Sequence, residues 1–328
     1  MTIAASASRF RQAGPVRTAV AVAVVLPWLV WAVVRVLGLD SGPLVVPAIS
    51  FTPYVAATAW IPVLVALLLR QWAVAVVALV PALALVAVVA PRALGGSDEA
   101  MAGGRPLTVL TANLRYGNAD PDAVVALARR SGADLVSLQE LPPAELEAID
   151  AAGARELYPH RVVDTEGEVQ GSALLSRYPL TDAVRPRDLR NAMPEATLHV
   201  PGAAAIRVKA VHPQTPLHGD GSFWAHSLRS LPRATPGGEL RMLAGDFNAT
   251  LDHHLLRDLI GSGYTDAGDA AGIGLQGNYP SNRLLRITID HVLVDERARV
   301  TSASVHTIPG TDHRALVARI SLPQTANR

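Results

Sequence analysis

Between Thr18 and Pro91 only Arg35, Asp40 and Arg70 carry charge. A bilayer core about 30 Å thick is crossed by about 20 apolar residues in a helix. Three stretches meet that requirement, about 18–36, 51–69 and 72–91, and Pro27, Pro62 and Pro81 sit inside them. Proline is better tolerated in such helices than in soluble ones. A cleaved signal peptide accounts for the first stretch alone, with Arg9, Arg11 and Arg17 as its basic start, but not for the two that follow. Residues 1–92 are therefore read as an anchor of three transmembrane helices.

Orientation follows arginine placement. The N-terminal arginines and the short turn at Arg70 belong inside. The loop around Asp40 and everything after Pro91 then lie outside. The expected location is the cell membrane, multi-pass, with a cytoplasmic N-terminus and an extracytoplasmic C-terminal domain. If only two stretches span, the domain faces the cytoplasm.

The charge deficit sits in this region: 17% of the 328 residues are charged, against about 25% in average chains. The absence of cysteine excludes disulfides and thiol chemistry. The balance of 29 basic to 28 acidic residues argues against a charge-driven grip on nucleic acid.

Residues 93–105 are small and Gly-rich and read as a linker. From 106 to 322 the pattern alternates short apolar runs with helical spacing. Strands are predicted at 107–113, 134–140, 171–176, 206–212, 241–248, 289–294 and 315–320. Helices are predicted near 121–131, 143–152, 222–231 and 252–261. This is the pattern of an α/β domain.

Polar residues recur where these strands start or stop: Asn113, Glu140, His212, Asp246 with Asn248, Asp290, and Asp312 with His313. Strand ends are where a sheet presents side chains to a ligand. Four carboxylates, two amides and two imidazoles form a hard donor set suited to Mg²⁺, Mn²⁺ or Ca²⁺. Taken singly, each has a plainer reading. Asp246 with Asn248 makes an Asx turn, and Glu140 sits before a helix as a favourable charge. His218, His226, His253, His254 and His291 are read as structural or surface residues. Arg177 is read as fixing a turn.

The segments TANLRYG, DLVSLQE, GSALLSRYPL, VKAVHP, LAGDFNAT, IDHVLV and GTDHRAL, in this order, resemble the endonuclease/exonuclease/phosphatase superfamily with the DNase I-like fold. The resemblance implies a four-layer α/β sandwich and a hydrolase dependent on Mg²⁺ or Mn²⁺. It implies metal binding by Glu140, Asn113 and Asp312. It implies catalytic roles for His313, Asp246, Asn248, His212 and Asp290. Asp246 would orient or deprotonate water, Asn248 would donate to a phosphoryl oxygen, and Asp290 would hold His313. His212 would contact phosphate or assist the leaving group. Many nucleases of the family carry an acid two positions after the first asparagine. Here that position is Arg115, which removes a ligand for a second metal and turns the expectation toward pyrophosphates or phosphomonoesters.

The anchor followed by this domain also resembles the VanJ-type membrane proteins of actinomycetes, associated with teicoplanin resistance. The expected partners are membrane lipids and a phosphorylated lipid or small phosphoester substrate, with nucleic acid less favoured and no protein partner evident. The other classes are an extracytoplasmic endonuclease or phosphodiesterase, and a non-catalytic module that binds a phosphate lipid.

Overall fold

The computed structural model describes residues 14–96, 99–165, 170–186, 190–217 and 219–325. Arg9, Arg11 and His218 lie outside the described residues. Among those described, the chain divides into two units, 14–39 with 51–89 and 40–50 with 90–325.

The first unit is helical, with helices Pro15–Leu37, Thr52–Thr58, Trp60–Leu68 and Trp72–Val89. Its interior is built around Ala32, Ala56, Ala59, Ala78 and Ala82, whose small side chains let helix backbones approach closely. Two helices of 23 residues, Pro15–Leu37 and Trp72–Leu94, are long and apolar enough to cross a membrane. The middle stretch yields only the shorter apolar helix Thr52–Leu68. The prolines explain why. Pro53 lies in the first turn of its helix and lacks the N–H that an earlier start would need. Pro62 crowds the carbonyl of Thr58, where the helix breaks at Ala59. Of the three spans expected, two therefore have spanning length among the described residues.

The second unit holds two six-stranded mixed sheets. The strands are β1 (Arg105–Asn113), β2 (Leu135–Gln139), β3 (His160–Asp164), β4 (Ser172–Ser176), β5 (Leu180–Val184), β6 (Glu195–Leu198), β7 (Ile206–Val211), β8 (Leu240–Asp246), β9 (Tyr264–Asp266), β10 (Asp290–Asp295), β11 (Arg299–Thr307) and β12 (Arg314–Leu322). One sheet has the order β11-β12-β1-β2-β4-β3 and the other β5-β6-β7-β8-β10-β9. β1 with β2 and β7 with β8 are parallel, and the other neighbours are antiparallel. Five strands escape the sequence reading: β3, β5, β6, β9 and β11. β5 is largely exposed and β11 alternates weakly, so neither offers a buried apolar run.

Three apolar cores separate four layers. Leu107, Val109, Leu135, Met242 and Val292 meet between the sheets. Leu110, Val136 and Val317 pack under helix Pro121–Ser131, which Asp120 caps by accepting from Ala123 N. Leu243 and Leu293 pack under helices Ser222–Arg229 and His254–Ile260. The domain is an α/β sandwich with helices on both outer faces.

Candidate active site

Strand alternation places the site. Successive side chains on a strand point to opposite faces. On β1, Leu107 and Val109 face the other sheet, and the same parity continues to Thr111 and Asn113. On β8 the stripe Leu240, Met242, Ala244 continues to Asp246. On β10, Val294 and Val292 lead back to Asp290. On β7, Ile206, Val208 and Ala210 lead on to His212. The inter-sheet core thus ends in polar side chains at one edge. Glu140 follows β2 with φ of +53°, and this left-handed turn departs from the strand's alternation.

Asn113 ties both sheets together. Its Nδ2 donates to Glu140 Oε1 at 2.9 Å and to Asp246 Oδ2 at 3.1 Å. Its Oδ1 accepts from Arg115 N at 2.9 Å. The amide therefore turns its nitrogen, rather than its oxygen, to the two carboxylates. Glu140 Oε2 accepts from Tyr116 N at 2.9 Å. Asp246 Oδ1 accepts from Asn248 N at 2.7 Å, and Asn248 Nδ2 donates to Pro213 O at 3.1 Å. One of the two Asn248 amide protons is thereby engaged within the protein.

His313 Nδ1 lies 2.9 Å from Asp290 Oδ2, and its Nε2 lies 3.9 Å from Asp246 Oδ2. His212 Nε2 lies 3.7 Å from Glu140 Oε1. Asp312 sits nearer the surface, its Oδ2 3.7 Å from Arg115 Nε. Arg115 is thus an ion-pair partner of Asp312. The fold brings all eight expected residues to one sheet edge.

The electrostatics separate the two histidines. Burial opposes charge on His313, but the Asp290 carboxylate, then Asp246 and Asp312, outweigh it and raise its pKa to about 9. His313 is an imidazolium at neutral pH, with both ring nitrogens protonated. Burial, and then the His313 charge, push His212 down to about 3. His212 is neutral. Asn191 Nδ2 lies 3.3 Å from its Nδ1, which assigns the ring proton to Nε2, toward Glu140. Burial, with repulsion from Asp290 and Glu140, raises Asp246 to about 7 against the pull of His313. Burial also raises Glu140, although Asn113, Tyr116 and His313 favour its anion.

Four carboxylates therefore face one imidazolium, and two of them hold protons more tightly than usual. This excess of hard, desolvated anionic oxygen fits a divalent cation. Asp246, Asp290 and His313 have potential ligand atoms within 4.8 Å of one another. The Asp290 contact already occupies one ring nitrogen of His313, so oxygen donors around Glu140 are the better match.

Four contributors carry no sequence signal of their own. Asn191 fixes the His212 tautomer. The Tyr279 ring lies 4.6 Å from that of His313. Asn278 Nδ2 donates to Asp290 O at 2.8 Å. Thr311 Oγ1 donates to Asn113 O at 2.9 Å. All lie in irregular segments, where periodicity says nothing. His291, expected as structural, is buried with Nδ1 2.7 Å from Asp266 Oδ2 and Nε2 2.9 Å from Ala249 O. His226 lies in helix Ser222–Arg229. Arg177 N donates to Asp134 O at 2.9 Å, which extends the pairing of β4 with β2, and its Nη1 lies 3.8 Å from Asp134 Oδ1.

A sandwich with such a cluster at one sheet edge is a scaffold for phosphoester hydrolysis. The sequence model of the Endonuclease/Exonuclease/phosphatase family matches residues 110–313. The chain belongs to that family, whose enzymes hydrolyse phosphoester bonds and generally use divalent metals. No curated protein matches the sequence. Among solved structures, the endonuclease/exonuclease/phosphatase of Bacteroides vulgatus is 14% identical, with a TM-score of 0.51 over 66% of this chain and 99% of that one. A humanised D. rerio TDP2 is 13% identical, with a TM-score of 0.53 over 66% and 99%. D. rerio TDP2 complexed with single-strand DNA product is 14% identical, with a TM-score of 0.52 over 66% and 99%. These likenesses concern the fold.

Proposed function

We propose that the chain is a membrane-anchored, divalent-metal-dependent phosphohydrolase that cleaves a phosphoester or pyrophosphate of a lipid-linked substrate at the outer membrane face. The observation that carries the hydrolase reading is the approach of His313 Nε2 to within 3.9 Å of Asp246 Oδ2, with Asp290 Oδ2 2.9 Å from the other ring nitrogen. His313 is a proton donor at neutral pH and Asp246 a carboxylate poised near 7. Titratable neighbours whose pKa values are pushed apart are suited to acid and base roles.

Asp246 orients the attacking water and accepts its proton. Its geometry is fixed by Asn248 N and Asn113 Nδ2. His313 donates from Nε2 to a phosphoryl oxygen, while Asp290 holds Nδ1 and sustains the charge. Neutral His212 offers an Nε2–H to the same group. The second Asn248 amide proton is available to a phosphoryl oxygen. A Mg²⁺ or Mn²⁺ ion held by Glu140 and Asp312, with Asn113 positioning the glutamate, would neutralise charge developing on phosphate.

The lipid part of the reading rests on composition and surface. Two helices have spanning length. The loops after His212 and after Tyr279 expose Leu217, Leu284 and Leu285, the last two beside Arg283, and helix Ser222–Arg229 exposes Phe223 with the Arg190 guanidinium 4.2 Å from its ring centre. Apolar side chains next to arginines suit a phosphorylated lipid. Three spans, an outward-facing domain and kinship with the VanJ-type proteins of teicoplanin resistance belong to this proposal. So does an undecaprenyl-type pyrophosphate as substrate.

The test is phosphate release by detergent-purified full-length protein, with Mg²⁺ and with chelator, from a polyprenyl pyrophosphate and in parallel from duplex DNA. Metal-dependent release from the lipid without DNA nicking is expected. Nicking without lipid turnover would make the protein an anchored nuclease. Turnover of neither by a folded protein would favour a non-catalytic binding module.

A further inference from the structure

The motif Asp252-His253-His254 follows Asp246 and Asn248 after a few residues and is unused by the chemistry above. Asp252 and His253 through their side chains, and His254 through its backbone N–H, hold parts of the chain far away in sequence and outside the stretch 110–313 that matches the family. Arg92 Nη1 and Nη2 donate to Asp252 Oδ2 and Oδ1 at 2.8 and 2.6 Å. Both side chains are almost wholly shielded from solvent. His253 Nδ1 accepts from Thr250 N at 2.8 Å, so its proton sits on Nε2 and is donated to Val46 O at 2.9 Å. His254 N donates to Asp40 Oδ2 at 3.0 Å, and its Nδ1 lies 3.1 Å from the same oxygen.

Asp40 and Arg92 stand among the few charges of the first hundred residues, and both are buried here. Each lies where the chain leaves an apolar helix. Val46 packs in one apolar cluster with Trp224, Leu251 and Phe247, the residue between Asp246 and Asn248. A buried bidentate arginine–carboxylate pair is specific in geometry, and either member left alone is unfavourable. Residues 40–50 and 90–96 are thus part of the catalytic unit rather than a loose tether.

We propose that Asp252, His253 and His254 form a docking site for this chain's own segment 40–50 and for Arg92, and that the docked segment positions the Asp246–Thr250 loop. Arg92 and Asp252 are then positioning residues. The idea does not depend on which substrate is turned over.

The chain has no cysteine, so single cysteines report docking cleanly. Full-length protein in detergent would carry Val46→Cys or, as the exposed comparison, Leu44→Cys, and be labelled with a maleimide. Val46 is 5% exposed and Leu44 83%. Val46→Cys should label at least tenfold more slowly. Adding Asp252→Asn should abolish the difference, whereas the surface substitution Arg155→Ala should preserve it. Equal rates in the otherwise native chain would overturn the proposal. So would an undiminished difference in the Asp252→Asn protein.

If Asp252→Asn unfolds the protein, the paired Asp252→Leu and Arg92→Met change removes both charges and keeps the bulk. In a folded pair variant, labelling at position 46 that approaches the position-44 rate supports docking through this pair, and labelling as slow as in the native chain refutes it. For the positioning role, Asp252→Asn should lower kcat about tenfold on a soluble phosphoester with KM unchanged, and so should the pair variant if its segment 40–50 has been released. An unchanged kcat in a protein whose segment 40–50 has become freely labelled would confine the motif to docking and refute positioning.

Discussion

Asp246 and Asp290 lie directly opposite each other on the adjacent antiparallel strands β8 and β10. Like charges in cross-strand register are unfavourable, and both are buried. The His313 imidazolium reaches toward both, 2.9 Å from Asp290 and 3.9 Å from Asp246. The arrangement makes the charge of His313 and the protonation of Asp246 mutually dependent, and the predictions follow from that dependence.

Asp290→Asn leaves a carbonyl that can accept from His313 Nδ1 but removes the largest attraction sustaining its charge. General acid catalysis contributes about 10²–10⁴-fold, and kcat should fall by a comparable factor. The alkaline limb of the pH–rate profile, expected near pH 9 from His313, should move to lower pH. A profile unchanged in shape would show that His313 is not the acid.

Stability of the metal-free protein should fall between about pH 6.5 and 9. The folded pKa of His313 lies above its unfolded 6.5, so its contribution is complete below 6.5 and lost as pH rises through about 9. Asp246 is also raised, from 3.8 to about 7, and loses its contribution over that interval. His212 is shifted oppositely, from 6.5 to about 3, and its gain with rising pH offsets Asp246 below about 6.5. Thermal melts in chelator across this range check the sign.

Mg²⁺ should reverse part of that loss by balancing the carboxylates. At 100 times Kd the gain is about 2.7 kcal/mol, and it should be larger at pH 8 than at pH 5. Glu140→Gln, near in shape but without the charge, should remove most of this gain. An equal Mg²⁺ shift in the variant would move the ion away from Glu140.

Asn191→Ala frees His212 Nδ1 and should lower kcat about tenfold with the fold intact, since positioned acid and base groups are sensitive to orientation. Asn191→Asp, which places an acceptor against the same nitrogen, should not rescue it. Melting temperature and kcat measured together separate this from simple destabilisation.

Leu284 is 93% exposed and Leu285 53% exposed, beside Arg283. Leu284→Asp with Leu285→Asp should raise KM for a lipid phosphate in mixed micelles several-fold. Turnover of a soluble phosphoester should stay unchanged. Equal effects on both substrates would remove this tip from lipid recognition.

The candidate site was readable because most of its members end apolar strands. Asn113, Asp246, Asp290 and His212 each extend a stripe of alternate inward residues, so order and spacing announced them. Asn191, Asn278, Tyr279 and Thr311 gave no such signal, since irregular segments meet the site only through the path of the chain. The middle apolar stretch misled in length, because composition counts apolar residues while Pro53 and Pro62 set where a helix can begin and continue.

By itself the sequence determined the apolar character of the first ninety residues, the α/β class and the eight polar positions that the fold gathers at one sheet edge. Periodicity and local chemistry are carried by neighbours along the chain. Tertiary structure alone decided that Asp246 faces Asp290, that Arg115 pairs with Asp312, and that His313 is charged while His212 is not. It also decided that Asp40, Val46 and Arg92 are gripped by Asp252, His253 and His254. Charge state and pairing depend on burial and on neighbours distant in sequence, which no local pattern contains.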